Sequence, residues 1–407
     1  MNLKLVSLLL LVATTWLCGC GSIRMGRTFR YPIQITDPKA TYQTKALFYN
    51  LQHPTSNGIL FGQQDVTQYG IGWKDEPNRS DVKSVCGSNP AVYGWDVADL
   101  VRASLQGNSA GNEALERNRQ LVLQAYERGG LNTFCWHMHN FVTGKNFYDT
   151  TAAVAAILPG GEQHAAYTRS LDVIAAYFRH LKAKDGTLVP VIFRPLHEHT
   201  GSWFWWGKRH CSQQEFVQLW QFTVQYLRDK KKVHNLLYAY SPDRVPTSAT
   251  YFERYPGDAF VDVLGHDNYW DFNVVSTPNK GVLTLDTLVT EAQARGKVAA
   301  LTETGLEKIT NPTWFSANLL QQLKSSTKAS QIAYLMVWRN AHEGHFYAPY
   351  PGHSSVPDFL QFYQDSLTTF ENDKPQLYSV PKPTREQRRK AAQVANKLPV
   401  LREPSTQ

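Results

Sequence analysis

The stretch VPVIFRPLHEHTGSWFWWG, residues 189–207, joins an apolar run to a cluster of ionisable side chains and three tryptophans. Residues 189–193 have the apolar, β-branched composition of a strand that is covered on both faces. Arg194, His197 and Glu198 follow directly, at the position where such a strand ends. The stretch therefore predicts a buried parallel strand that carries ionisable groups at its carboxyl end.

Runs of this kind recur along the chain, and each ends in polar or aromatic residues. There are eight of them, at 58–65, 91–96, 132–137, 189–198, 236–242, 261–270, 298–305 and 332–340. Near-continuous apolar strands are typical of a parallel sheet with both faces covered. The chain therefore contains enough strands of this type for a large α/β fold.

Segments with helical periodicity fill intervals between the runs. They lie at 112–130, 167–186, 212–232, 284–296 and 314–326. Eight alternations of strand and helix favour a (β/α)8 TIM barrel, a single domain of the α/β class. The alternative is an open doubly wound sheet, which usually has fewer strands and a glycine-rich phosphate loop. No GxGxxG or GKS/T motif occurs in the sequence.

Composition and charge narrow the class of protein. Of 407 residues, 42% are hydrophobic and 19% are charged, which is typical of a globular protein rather than a disordered or multi-span membrane protein. The formal net charge is +8, but residues 381–407 contain seven Lys or Arg against two Glu. Because the rest of the chain is only weakly basic, we expect no nucleic-acid partner. We expect the barrel at 41–375 and a basic tail at 376–407, in which 384–398 is either a short helix or a solvated segment.

The N-terminus has the pattern of an export signal. One lysine precedes an apolar run over 5–17, which is too short to span a bilayer comfortably. The following residues, Leu17-Cys18-Gly19-Cys20, resemble a bacterial lipobox, which implies removal of residues 1–19, lipidation of Cys20 and a spacer over 20–40. We therefore expect an exported, membrane-anchored lipoprotein, either periplasmic or on the outer-membrane surface.

The other cysteines and the histidines show no metal-binding pattern. No CxxC or Cys/His spacing suggests zinc, and HEHT lacks the i, i+4 histidines of a helical zinc site. We therefore expect neither a metal nor a cofactor. An exported chain can oxidise two of Cys86, Cys135 and Cys211, but their spacing does not select a pair. Cys135 lies inside the third run, where we expect an inert buried thiol.

In a (β/α)8 barrel the active site lies at the carboxyl ends of the strands. The polar and aromatic residues that close the runs are therefore the candidates: Gln63, Asp65, Asp96, Trp136, His137, Arg194, His197, Glu198, Asp267, Tyr269, Glu303, Trp338 and Arg339. Glu198 and Glu303 stand out, because the fourth and seventh strands lie on opposite sides of the barrel. Two carboxyl groups about 5–5.5 Å apart are the catalytic residues of a retaining glycosidase. One is the nucleophile, and the other is an acid with a raised pKa.

The tryptophans after Glu198 fit the same chemistry. Rings beside the acid desolvate it and raise its pKa, whereas a nearby Arg194 would lower it. Indole rings also stack on the apolar C–H faces of sugars. We expect one of Trp203, Trp205 and Trp206 to pack in the core, and Trp203 to meet the sugar. Trp338, at the eighth strand end, is the candidate for the floor beneath the sugar that is cleaved.

These motifs resemble glycoside hydrolase family 26, a family of retaining (β/α)8 enzymes that are chiefly β-mannanases. The resemblance covers residues 45–370 and rests on RPLHEHTGSWFWWG, GHDNYW, LTETG and VWRN, with FGQQD, YGIGW, YGWD and Trp136-His137 at the early strands. It implies that Glu198 is the acid/base and Glu303 the nucleophile. It also implies that His197 positions Glu198 and that Tyr269 hydrogen-bonds the nucleophile.

The same resemblance implies substrate-contacting or supporting roles for a further group of residues. They are His137, Arg194, Trp203, Asp267, Trp338 and Arg339. Family members often have Asn two residues after the acid/base, where this chain has Thr200, and His199 is also uncommon. We therefore expect altered contacts on the leaving-group side.

The sequence as a whole predicts a monomeric, retaining β-mannanase. Its substrate would be β-1,4-linked mannan, glucomannan, galactomannan or manno-oligosaccharides, cleaved internally or from chain ends with release of mannobiose. One alternative is a β-1,3-1,4-glucanase or β-xylanase of the same fold. Another is a non-catalytic glycan-binding lipoprotein, which the presence of both Glu198 and Glu303 disfavours.

Overall fold

The computed structural model of the chain describes residues 29–54, 58–107, 109–245, 247–381 and 384–385. The export signal, Cys20 and most of the basic tail lie outside the described residues, so cleavage, lipidation and the tail helix stay predictions. Among the helices of the described part, none combines the length and the apolar character needed to cross a bilayer. Cys86, Cys135 and Cys211 are all free thiols, which answers the question of a disulfide that the sequence left open.

Eight parallel strands close into a barrel. They span Ile59–Gln64, Val92–Asp96, Leu131–Cys135, Val191–Arg194, Leu236–Tyr240, Val263–Asn268, Val298–Thr304 and Tyr334–Val337. Each strand pairs with the next in sequence, and the eighth pairs with the first, with Leu60 opposite Tyr334. The short strand Thr368–Thr369 adds to the first strand outside this ring. The predicted (β/α)8 barrel is confirmed.

Helices surround the barrel. The α-helices are Tyr42–Gln52, Asp81–Cys86, Ala98–Gln106, Ser109–Glu127, Val154–Ile157, His164–His180, Gln213–Gln225, Ser248–Phe252, Lys280–Arg295, Gln321–Lys324 and Val356–Gln364. Two π-helical segments, Tyr226–Lys230 and Trp314–Leu320, adjoin the helices Gln213–Gln225 and Gln321–Lys324. All five segments with helical periodicity contain helix, although the segment at 167–186 already leaves the helix after His180.

The buried apolar side chains form two clusters on either side of the barrel wall. The larger joins strand residues such as Phe61 and Phe193 to helix residues such as Leu171 and Trp220. The smaller draws on all eight strands, through Leu60, Val92, Leu131, Ile192, Leu237, Val263, Val298 and Tyr334. Because each of these is the first or second residue of its strand, the smaller cluster fills the amino-terminal end of the barrel interior. Arg194, Asp267 and Glu303 are each the last or second-last residue of their strands and therefore lie at the opposite, carboxyl end, where the site is.

Segments beyond the predicted barrel limits also contact the amino-terminal end. Ile33, Ile35 and Tyr378 pack against the smaller cluster, and Leu377 belongs to it. The backbone N–H of Thr36 donates to the Asp262 carboxylate at 2.7 Å. The domain limits at 41 and 375 stay predictions, and the described contacts continue on both sides of them.

Candidate active site

Glu198 lies in a turn after the fourth strand rather than at the strand end that the sequence predicted. The strand ends at Arg194, and both Leu196 and Glu198 have a φ of 53°, in the left-handed region that non-glycine residues rarely adopt. Leu196 is buried in the larger core cluster, and the N–H of Glu198 donates to the carbonyl of Ser241 at 2.8 Å. Core packing and the neighbouring fifth strand therefore hold the turn in this unfavourable conformation.

Glu303 lies in the seventh strand beside a β-bulge. His266 of the sixth strand is opposite Leu301, whereas the next residue, Asp267, is opposite Glu303, so Thr302 is the extra residue. A bulge re-aims the side chains next to it and is frequent at active sites. The hydroxyl of Thr302 donates to Asp267 at 2.6 Å, which ties the bulge to the sixth strand. Apolar patterning does not reveal this feature.

A buried guanidinium connects the sixth and seventh strands. Arg194 donates to Asp267 Oδ2 at 2.7 Å and to Glu303 Oε1, and all three side chains are nearly inaccessible to solvent. The hydroxyl of Tyr269 donates to the other oxygen, Glu303 Oε2, at 2.8 Å. Both carboxylate oxygens of Glu303 are therefore held in place. The sequence led us to expect that Arg194 lowers the pKa of Glu198; its guanidinium is engaged by Asp267 and Glu303, and the largest effects on Glu198 come from burial and from other groups.

The carboxyl group of Glu198 has a different electrostatic setting. Burial raises its pKa well above the ordinary range, and the charges of Glu303 and Asp267 raise it further. The indole N–H of Trp203 donates to Glu198 Oε2 at 2.7 Å and opposes this effect, whereas the charge of Asp243 adds to it. A carboxyl group with a raised pKa keeps its proton near neutrality. Glu198 thus has the setting of a proton donor, whereas the Glu303 carboxylate is held by Arg194 and Tyr269.

The three tryptophans after Glu198 divide into one exposed ring and two core rings. Trp203 exposes 37% of its surface. Trp205 and Trp206 are fully buried, and their N–H groups donate to the carbonyls of Met138 and His197 at 3.1 and 2.8 Å. The expectation that one of the three packs in the core was wrong. Trp205 and Trp206 both pack in the core. Their rings meet at nearly a right angle within the larger core cluster.

A hydrogen-bonded chain of imidazoles runs from the second strand to the residue before Glu198. His137 Nδ1 lies 2.7 Å from Asp96 Oδ2, and His137 Nε2 lies 3.2 Å from His197 Nε2. Burial lowers the pKa of His197 well below its ordinary range, so this ring is neutral. Its Nδ1 has no hydrogen-bond partner among the described residues, and its backbone carbonyl accepts from Trp206. Any positioning of Glu198 by His197 therefore acts through the backbone.

One group of possible metal ligands adjoins this chain. The donor atoms of Asp96, Cys135 and His137 lie within 4.8 Å of one another. The 2.7 Å separation between His137 Nδ1 and Asp96 Oδ2 is that of a hydrogen bond, and burial raises the pKa of the Cys135 thiol well above its ordinary range. A metal would require the thiolate. We therefore interpret the group as a hydrogen-bonded cluster that orients His137.

A cavity of about 590 Å³ opens next to these residues, on the side of the first, second, third and eighth strands. Its lining includes Asp65, Asp96, His137, Tyr148, Trp338 and Arg339. Arg339 donates to the hydroxyl of Tyr69 at 3.3 Å, and Tyr69 in turn donates to Asp65 at 2.5 Å. His137 faces both the cavity and His197. The cavity is therefore adjacent to the turn that carries Glu198.

Two of the strand-end candidates lie mainly within the protein interior. Gln63 is buried and donates to Asn340 at 3.0 Å. Trp136 borders the cavity but is almost fully buried, with its ring stacked on Tyr167.

Three residues of the site were missed by sequence reasoning. Tyr69 lies within the quoted motif YGIGW, which offered a signal. Tyr148, at the cavity, and Asp243, near Glu198, lie in loops whose sequence shows no periodicity.

Known proteins share this fold over most of its length. The sequence model of Glycosyl hydrolase family 26 matches residues 36–350. The chain belongs to glycosyl hydrolase family 26. A mannan endo-1,4-β-mannosidase from Bifidobacterium adolescentis is 38% identical over 354 residues, which is 81% of this chain and 35% of that protein. This family 26 chain thus spans about a third of the length of that relative.

Solved structures of the family superpose on the barrel. A family 26 β-mannanase from Bacteroides ovatus is 39% identical with a TM-score of 0.77, over 84% of this chain and 99% of that one. A modular endo-β-1,4-mannanase from Cellulomonas fimi is 37% identical with a TM-score of 0.80, over 86% of this chain and 80% of that one. The resemblance that the motifs indicated is confirmed at the level of family and fold.

Proposed function

We propose that the protein is a retaining β-mannanase that hydrolyses β-1,4-mannosidic linkages by double displacement. The observation that carries this proposal is the unequal setting of two carboxyl groups. Glu303 accepts from Arg194 and Tyr269, whereas Glu198 is partly buried and has a raised pKa. A carboxyl group of raised pKa is suited to the role of the acid, and a carboxylate that is held in one orientation is suited to the role of the nucleophile.

In the first step Glu303 attacks the anomeric carbon while Glu198 transfers its proton to the departing glycosidic oxygen. The resulting glycosyl-enzyme ester is then hydrolysed by water, from which Glu198 removes a proton, so that the anomeric configuration is retained. Arg194 and Tyr269 keep the Glu303 carboxylate in one orientation for the attack. Burial raises the pKa of Tyr269 well above its ordinary range, so its hydroxyl remains a donor.

The substrate class follows from the relatives and the shape of the site. Relatives of this chain from Bifidobacterium adolescentis and Bacillus subtilis are named mannan endo-1,4-β-mannosidases. The cavity beside His137 combines rings with carboxylate and guanidinium groups, a combination that suits a neutral sugar chain. We propose mannan, glucomannan, galactomannan or manno-oligosaccharides as substrates, and internal cleavage or release of mannobiose as the two modes.

Chromatography of the products from mannan, glucomannan, lichenan, xylan and mannohexaose tests the proposal. We expect manno-oligosaccharides from the mannans and initial products of retained configuration by NMR. Glu303→Ala should abolish turnover while binding of mannohexaose remains. Glu307→Gln, an exposed glutamate on the loop after the same strand, is the matched control and should retain activity. Turnover by the Glu303→Ala variant contradicts the mechanism, and binding without products from the wild type supports a glycan-binding protein.

We also propose that the chain is exported, lipidated at Cys20 and monomeric. The apolar run over 5–17 and the segment Leu17-Cys18-Gly19-Cys20 support the anchor. Metabolic labelling with palmitate and membrane fractionation test it, with Cys18→Ser as the matched control for Cys20→Ser. Loss of label in the Cys20 variant alone is the expected result, and equal labelling of both variants contradicts it. Sedimentation of the unlipidated chain should give the mass of one copy, and a dimer mass overturns the monomer.

A further inference from the structure

The end of the barrel opposite the proposed site carries both terminal segments of the described chain. The helix Tyr42–Gln52 closes this end, and its buried apolar side chains belong to the smaller core cluster. Ile33 and Tyr378, which flank the barrel in sequence, pack against the same cluster. The hydroxyl of Tyr31 donates to the carbonyl of Pro381 at 2.9 Å, so the two terminal segments meet. Both therefore leave the fold on the side away from the proposed site.

Four segments make up this end, which we call the amino-terminal face: 30–39, 179–190, 228–234 and 371–381. The second and third of these segments lead into the fourth and fifth strands. Hydrogen bonds join neighbouring segments, because Arg228 donates to the carbonyl of Thr36 at 3.0 Å. In the same way Arg179 donates to the carbonyl of Lys231 at 3.2 Å. The four segments therefore form one continuous surface.

Cations outnumber acids on the amino-terminal face. Its exposed cations without an ion-pair partner in the described part of the chain are Arg30, Lys39, Arg179, Lys182, Lys230 and Lys232. Its acids are Asp37, Asp185, Asp229, Glu371 and Asp373. Of these, Asp229 is paired with Arg228 at 2.8 Å, and Glu371 is paired with a cation at 2.9 Å. The face thus presents positive charge that the protein itself does not neutralise.

Aromatic rings border the point at which the chain continues towards Cys20. The ring centroid of Phe29, the first described residue, lies 6.0 Å from that of Tyr42. The ring centroids of Tyr31 and Tyr49 lie 4.3 Å apart, and all four rings are only partly buried. Tyrosine has an apolar body and a polar tip, and it is enriched where a membrane meets water. The face therefore combines cations and aromatic rings, as surfaces that lie on a membrane do.

The proposed anchor would hold this face close to a bilayer. Eight residues separate Cys20 from Phe29, and a fully extended segment of this length spans about 30 Å at most. Such a tether limits the distance from the membrane but does not select an orientation. The tail that begins at Pro381 adds to the positive charge, since residues 381–407 contain seven Lys or Arg against two Glu. An anionic membrane would therefore attract this end of the barrel rather than the other.

We propose that the amino-terminal face binds the anionic headgroups of a phospholipid membrane and orients the anchored enzyme with its site towards the solution. This inference rests on the proposed export and lipidation, and not on the mannanase activity. Each Lys or Arg near an anionic membrane surface strengthens binding about fivefold. Because the site lies at the opposite end of the barrel, a polysaccharide can approach it from the solution while the face stays on the membrane.

Cosedimentation with vesicles tests the proposal, using the unlipidated chain without residues 1–19, which lie outside the described residues. At low ionic strength the wild type should bind vesicles of phosphatidylethanolamine and phosphatidylglycerol, and it should not bind vesicles of phosphatidylethanolamine and phosphatidylcholine. Loss of three cations should lower the partition coefficient on anionic vesicles about a hundredfold in the triple variant Lys182→Gln, Lys230→Gln and Lys232→Gln.

A matched triple variant removes the same charge from the opposite end of the barrel. Its substitutions lie at exposed positions in the loops after the third, fourth and seventh strands, and they are Lys145→Gln, Lys208→Gln and Lys308→Gln. This variant should bind anionic vesicles as the wild type does, and circular dichroism confirms the fold of both variants. Equal weakening in the two triple variants overturns the proposal, because it assigns binding to the net charge. Failure of the wild type to bind anionic vesicles also overturns it.

Hydrogen exchange of the wild type gives a second readout that depends on orientation. Amides in 179–190 and 228–234 should exchange more slowly on anionic vesicles, whereas those in 306–310 should not change. The reverse pattern overturns the proposal, and so does binding to lipopolysaccharide micelles without binding to phospholipid vesicles. Failure of the proposed lipidation is seen separately as absence of the palmitate label, and failure of the proposed activity as wild-type protein that hydrolyses no mannan. Neither quantity enters the vesicle assay.

Discussion

The hydroxyl of Thr200 donates to the carboxylate of Asp243, and this bond joins the turn that carries Glu198 to the loop after the fifth strand. A second bond, from the N–H of Glu198 to the carbonyl of Ser241, links the same two segments at 2.8 Å. Thr200 is one of the two positions at which the sequence led us to expect altered contacts on the leaving-group side. The unusual residue thus fixes a charged group beside the proposed acid/base.

Asp243→Asn should shift the alkaline limb of the pH profile of kcat/KM to lower pH. Burial raises the pKa of Asp243 to about 6, against the effect of the Thr200 hydrogen bond. Above that pH its negative charge, with those of Glu303 and Asp267, raises the pKa of Glu198. The amide removes one of these charges, so Glu198 loses its proton at a lower pH. Thr200→Ser keeps the hydroxyl and should keep the wild-type profile; an unshifted limb in Asp243→Asn refutes the coupling.

Glu198→Gln should slow the hydrolysis of mannan about 10²- to 10⁴-fold, the usual contribution of a general acid. A dinitrophenyl β-mannobioside needs no protonation of its leaving group, so its first step should persist and release dinitrophenol in a burst. The burst, followed by stopped flow, is the measurement. Equal loss on both substrates contradicts the assignment of Glu198 as the acid. Glu253→Gln, at an exposed glutamate paired with Lys208, controls for the loss of one carboxylate.

Arg194→Met should destabilise the fold and abolish activity. It leaves Asp267 and Glu303 buried without their cation, and removal of one partner of a buried ion pair costs about 3–5 kcal/mol. Urea unfolding of the purified variant measures the loss. Adding Asp267→Asn removes one of the two unpaired charges, so the double variant should recover part of the stability while remaining inactive. A double variant less stable than Arg194→Met argues against this account.

The strands were predictable because their apolar runs reflect burial on both faces, a property of each segment alone. The position of Glu198 was less predictable from the sequence. The apolar run over 189–198 continues past Arg194, but the strand ends at Arg194 because Leu196 has a positive φ. Burial of both Trp205 and Trp206 likewise depends on a turn that brings neighbouring residues into one core. Prediction from apolar patterning assumes a regular backbone, so it fails where the backbone departs from helix or strand geometry.

The candidate site was predictable where residues close a strand and unpredictable where they come from loops. Glu198, Glu303, Arg194 and Asp267 were all named from their places at strand ends. Asp243 lies 43 residues from Thr200 along the chain, and only the folded barrel brings them together. The bulge at Thr302 was equally hidden, since it depends on the register of two strands.

Asp96→Asn should reduce kcat/KM on mannan with little change in stability. The Asp96 carboxylate accepts from His137 Nδ1 at 2.7 Å, and His137 Nε2 lies 3.2 Å from His197 Nε2. An asparagine at this position can donate as well as accept, so the His137 ring is no longer confined to one tautomer. A misplaced or unmade hydrogen bond costs about 1–3 kcal/mol, hence about 5- to 150-fold in rate.

Nitrogen NMR of the imidazoles should show Nδ1 protonated in the wild type and a mixture in the variant. Asp229→Asn, at an exposed aspartate paired with Arg228, is the matched control and should alter neither the rate nor the spectrum; an unchanged His137 tautomer together with full activity in Asp96→Asn contradicts the orienting role.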